Sequence, residues 1–202
     1  FSGCGEDEPD SEPIDSTIIV EVRDILGQAD RNIVLYAETE KIYPCMNYPI
    51  VVEQVPLESN GRRITYTGVQ ETTLCLTALG AATNAVELGS LSNGEYPLEL
   101  NNRFLKNKGS LLVSDSKIEL KVGSLKGIEI TRAELMRVPA QTYWGTIAYS
   151  EEERAALVDD FIDRLVTLGA VFEKQAPGDY WYYQINDDGE IEGSPDGSPF
   201  RR

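Results

Sequence analysis

Between residues 17 and 122 the chain is a series of short β-rich runs cut by turn residues, and no stretch of helical period interrupts it. Residues 18–22, 33–36, 49–55, 62–69, 96–100, 110–113 and 117–122 follow one another in this way. Asn60-Gly61 separates two of them, a dipeptide suited to a tight hairpin because both central residues need positive φ. Asn93-Gly94, Asn107-Lys108-Gly109 and Asp115-Ser116 mark further turns. Many short strands with turn signals between them predict a mainly β chain whose first body, residues 16–125, is an antiparallel β-sandwich.

The period changes at residues 150–168. Leu157, Val158, Phe161, Ile162, Leu165 and Val166 recur at three- and four-residue steps and give one apolar face. Ser150 and Glu153 fit a capping box, and Gly169 fits a left-handed stop. One amphipathic helix is expected, with its apolar face covering a sheet. Residues 170–173 and 180–186 read as strands, and Asp188-Gly189 as a turn into Glu190-Ile191. Together these predict a small α+β unit over 126–193 and a frayed tail over 194–202.

Composition removes several function classes. The chain has no histidine, which excludes Ser-His-Asp and Cys-His nucleophile pairs and His-ligated zinc. A net charge of −16 argues against nucleic acid, whose phosphates need clustered Lys and Arg. No G-x-S-x-G, S-x-x-K or phosphate loop is present, and nothing singles out two of the 34 acidic residues as a catalytic pair. The expectation is a protein without catalytic activity, metal or cofactor. Asn186-Asp187-Asp188-Gly189-Glu190 has oxygen donors around a glycine but lacks the calcium-loop spacing, so it reads as a hairpin turn. No run reaches the ~18 apolar residues of a membrane helix.

At the N-terminus, Phe1-Ser2-Gly3-Cys4 resembles the lipobox of bacterial lipoproteins, with Phe1 in place of the usual leucine. The resemblance implies a diacylglycerol-modified Cys4 as the link to a membrane. Residues 5–15 hold six carboxylates and two prolines with no basic residue, the composition of an extended, solvated tether. An acidic run just after the lipidated cysteine resembles the export signal of Bacteroidetes surface lipoproteins. That implies an outer-membrane location facing the cell surface, with the periplasmic face as the alternative. Asp15-Ser16-Thr17 is similar to the O-glycosylation acceptor of the same group.

Two cysteines then remain, Cys45 and Cys75. An exported chain favours a bridge between them, while two separate buried thiols are the other reading. Leu88-Gly89-Ser90-Leu91-Ser92-Asn93-Gly94-Glu95-Tyr96-Pro97-Leu98 resembles the L-x-x-G-x-Y-x-L corner of bacterial immunoglobulin-like domains. This makes the expected sandwich immunoglobulin-like and implies no function.

The most unusual local composition is aromatic: Tyr143-Trp144 and Tyr180-Trp181-Tyr182-Tyr183. On a strand, Tyr180 and Tyr182 share one face, and Trp181 and Tyr183 the other. One pair packs the small unit; the second either joins that core or stays exposed, placed to stack on sugar rings or anchor a protein. Two functions follow. The first is a protein-binding or structural accessory lipoprotein. The second is a glycan-binding one that uses Trp144, Tyr180, Trp181, Tyr182 and Tyr183. A glycan platform needs exposed rings with polar neighbours, whereas a docking surface needs a contiguous apolar patch.

Overall fold

The computed structural model describes residues 11–27, 30–142 and 154–192. Alternation builds its strands. β2 (Ile18–Leu26) buries Ile18, Val20 and Val22 and turns Glu21 and Arg23 outward. It pairs antiparallel with β3 (Arg31–Tyr43), which pairs in turn with β6 (Gly80–Gly89). β10 (Ile128–Arg132) lies parallel to β2 on its other side and completes a four-stranded sheet. The second sheet runs β4 (Ile50–Pro56), β5 (Arg62–Gln70), β7 (Gly94–Asn102), β8 (Leu105–Val113), β9 (Lys117–Val122) and β11 (Glu134–Met136). β1 (Ser11–Pro13) joins it against the end of β5.

Both sheets feed one core, in which Ile18, Leu35, Ile64, Tyr66, Leu100 and Ile118 are fully enclosed. The mainly β sandwich is therefore present, with a single helix after it. Two neighbouring pairs, β5–β7 and β10–β2, are parallel. The first is made possible by a long crossover through β6 in the opposite sheet, since parallel neighbours need such a connection. At the corner before β7, Leu88 is buried and the Tyr96 hydroxyl donates 2.8 Å to the Ser92 carbonyl, pinning the turn to its strand.

Several boundaries differ from expectation. The body begins at Ser11 rather than 16, because β1 pairs with β5 and Ile14 enters the core at 2% exposure. Residues 128–136 supply β10 and β11 to the two sheets of the sandwich, while Val138 packs with Tyr180, Tyr183 and Ile185 of the C-terminal unit. Fully buried Asn107 donates to the Lys126 carbonyl, and Asn102 donates to the carbonyls of Ser16 and Gly127, which places the chain beside β2 as β10 starts. Residues 73–77 alternate in sequence yet form no strand. Asn47 captures their backbone instead, donating to the Leu74 carbonyl and accepting from the Leu76 N–H. The strand there is β6, whose Gly- and Ala-rich start hides it in the sequence. The Asn60-Gly61 hairpin forms one residue earlier, with Ser59 and Asn60 at positive φ and the Gly61 N–H bonded to the Glu58 carbonyl. Gly61 serves close approach, since a Cβ there would stand 2.5 Å from the Pro97 carbonyl oxygen.

The C-terminal unit holds α1 (Ala155–Thr167) and three two-residue strands, β12 (Gly178–Asp179), β13 (Gln184–Ile185) and β14 (Ile191–Glu192). α1 ends on Gly169 at φ +96° as expected. The capping residue Ser150 lies outside the described residues. Residues 170–173 form no strand and are exposed. Between β13 and β14, the Asn186 side chain accepts the N–H groups of Asp188 and Glu190, so the oxygen-rich run closes a hairpin.

Candidate functional site

Residues 180–183 turn where a strand was expected. The Tyr180 N–H donates to the Tyr183 carbonyl, and Trp181 takes φ +70°, a rare conformation for a bulky side chain. The turn abolishes alternation: Tyr180 and Tyr183 come to the same side and stack with centroids 5.0 Å apart. Both are buried, as is Trp181 at 8% exposure, and only Tyr182 is half-exposed. Of the two readings of this run, the rings join a core, and no pair of them stands exposed. Tyr180 donates to the Ala176 carbonyl and Tyr183 to the Gln175 side chain. Burial pushes the Tyr183 phenol up to about 12 and raises Tyr180 in the same direction.

Trp181 instead fastens the unit to the sandwich. The Arg23 guanidinium is sandwiched between the rings of Tyr36, 3.4 Å to the centroid, and Trp181, 4.3 Å. Arg132 approaches Trp181 at 4.9 Å. Carboxylates fix the two arginines: Glu21 accepts from both, and Asp179 accepts from Arg132 at 2.6 Å while capping the Trp181 N–H at 2.8 Å. The Tyr182 hydroxyl accepts the Leu26 N–H. A planar guanidinium between aromatic faces is a favourable use of arginine, and every carboxylate here has a partner. The aromatic run is therefore a clasp.

Trp144 and Cys4 lie outside the described residues. Cys45 and Cys75 are joined as a disulfide with Cα atoms 5.3 Å apart. Ser16 presents no glycan acceptor, because its hydroxyl oxygen is buried.

The helix also departs from expectation. Its apolar face is covered only in part: Leu157 is 67% exposed, with Phe161 and Val166 near half, while Val158, Ile162 and Leu165 are half-buried. Leu168, Val171 and Phe172, just beyond the helix, are exposed as well. Asp159, Asp160 and Asp163 are exposed on α1, with Arg164 paired to Asp160. The period in the sequence identified this face but could not tell a face turned to a sheet from one left open. No helix among the described residues is long and apolar enough to cross a membrane. No family model, curated protein or solved structure matches the chain.

Proposed function

We propose that this protein is a non-catalytic lipoprotein that binds another protein through its C-terminal unit, anchored at Cys4 and exposed at the outer surface of a Gram-negative cell. The observation that carries the binding role is the exposed apolar side chains of α1, Leu157, Phe161 and Val166, followed by exposed Leu168, Val171 and Phe172 and bordered by aspartates. Isolated exposed leucines are ordinary, whereas a contiguous patch on one element marks an interaction site. An amphipathic helix offers such a face to a groove or second helix through positions spaced at three and four residues. The acidic border favours a partner with a basic rim.

The anchor reading draws on Ser2-Gly3-Cys4 and the acidic run, and the Cys45–Cys75 bridge fits an oxidising compartment outside the cytoplasm. Glycan stacking, the alternative reading, loses support from the burial of Tyr180, Trp181 and Tyr183.

The test is photo-crosslinking in intact cells from benzoylphenylalanine at position 161. A discrete protein adduct that Leu157→Asp abolishes is expected. No protein adduct from position 161 would remove the docking role. Intact mass of the membrane-fraction chain reports the anchor separately, an acylated Cys4 being the expected species.

A further inference from the structure

We infer that the disulfide-stapled loop 71–79 and the adjoining residues 42–46 form a bilayer-contacting surface that rests on the lipid interface beside the anchor; this builds on the reading of Cys4 as the lipid-bearing residue. Three observations converge. First, residues 42–52 and 72–86 contain no charged side chain, in a chain that is 26% charged. The Cys45–Cys75 bridge joins these two stretches.

Second, the surface is apolar outside and polar within. Leu74, Leu76 and Leu79 are 72, 49 and 79% exposed, and Ile42 and Met46 are more than half exposed. Part of the backbone beneath them is paired: Asn47 donates to the Leu74 carbonyl and accepts the Leu76 N–H, Thr72 donates to the same Leu74 carbonyl, and the Ala78 N–H donates to the Leu76 carbonyl. Pairing of backbone groups within a loop lowers the cost of bringing its apolar tips to a lipid interface.

Third, the chain toward Cys4 leaves from the same end. β1 is antiparallel to β5 with Ser11 opposite Gln70, so the residues before Ser11 and the loop after Gln70 emerge side by side. Seven residue steps separate Ser11 from Cys4, which limits the separation to about 25 Å. A lipid on Cys4 therefore holds this apolar end within about 25 Å of the membrane.

The experiment separates this inference from the anchor reading by supplying the attachment chemically. The full chain, its bridge intact, is coupled through Cys4, the one cysteine outside the bridge, to phosphatidylcholine vesicles bearing a maleimide lipid. Leu79→Trp reports insertion through quenching by brominated phosphatidylcholine, with Leu74→Trp as a second reporter and Glu190→Trp as a control on the exposed C-terminal hairpin. The expected result is a blue shift and stronger quenching for positions 79 and 74 than for the parent chain or the control. Quenching of both reporters no greater than that of Glu190→Trp overturns the inference, and the loop is then left as a surface for a protein. An unmodified Cys4 in the cell overturns the anchor reading and leaves the vesicle result standing on its own.

Discussion

Tyr66 is completely enclosed at the centre of the sandwich, and its hydroxyl has no hydrogen-bond partner there. Burial alone raises its phenol far above the ordinary range, so the group stays neutral and contributes mainly ring packing. An unpaired buried hydroxyl costs about 1–3 kcal/mol, so Tyr66→Phe should stabilise the protein by ~1 kcal/mol in denaturant unfolding. A loss of stability would mean that the hydroxyl is satisfied after all. Glu119 is the opposite case, an acid held at about 2 by hydrogen bonds from Lys117 and then Lys121. Its folded value lies below the ordinary glutamate range near ~4.3, so its stabilisation is present above that pH. It fades as the pH falls toward 2. Glu99 is shifted downward in the same sense, chiefly by Arg63. Carboxyl titration by NMR should find Glu119 among the most acidic groups, and Lys117→Met should move its midpoint upward. An unmoved midpoint would show that the lysine contact is not formed in solution.

Two apolar elements of the C-terminal unit differ in what supports them, and their mutations should differ accordingly. Trp181 is buried against Arg23, Arg132 and the sandwich core, so Trp181→Ala should cost about 3–5 kcal/mol and expose 154–192 to protease. Phe161→Asp on the open face of α1 should change stability by no more than ~0.5 kcal/mol. Limited proteolysis and thermal unfolding of the two variants check the contrast; equal losses would mean that α1 is packed. The same contrast explains what the sequence made legible. β2 and the helix could be read because apolar spacing is a local property of the chain. The role of the helix could not, since whether Leu157 meets a sheet or water depends on residues far away. Residues 73–77 alternate without forming a strand, and Leu74 and Leu76 are exposed where Asn47, 27 residues upstream of Leu74, holds their backbone. The strand reading of residues 180–186 fails at Trp181, whose positive φ is not encoded in the side-chain pattern. Of Glu21, Arg23 and Arg132, the clasp residues missed in the sequence, only Glu21 carried a faint signal, an outward position on the predicted run 18–22.

Across the whole molecule the clasp and the stapled loop are set apart by the length of β3. Its partner β2 reaches the clasp at Leu26, opposite Arg31, while Ile42 stands at the stapled end. Eleven residues of strand at ~3.3 Å each put about 35 Å between them, so the proposed anchor at Cys4 would project the C-terminal unit away from a membrane. The Cys45–Cys75 bridge spans 30 residues and joins the β3–β4 connection to the loop before β6. Its removal by Cys45→Ala with Cys75→Ala should lower stability by about 3–4 kcal/mol in the chain-entropy picture, read as a lower denaturant midpoint. An unchanged midpoint would mean that the loop is already as ordered in the unfolded chain. The placement of β1 also has a mechanical consequence. Tension arriving through the residues before Ser11 runs along β1, while the bonds to residues 68–70 of β5 lie across it. A pull therefore loads all three residue pairs together in shear instead of unzipping them singly. Lys41, paired with Glu12 and Asp15, and the core side chain of Ile14 share that load, so under the proposed anchoring the first strand would act as a strain relief for the body.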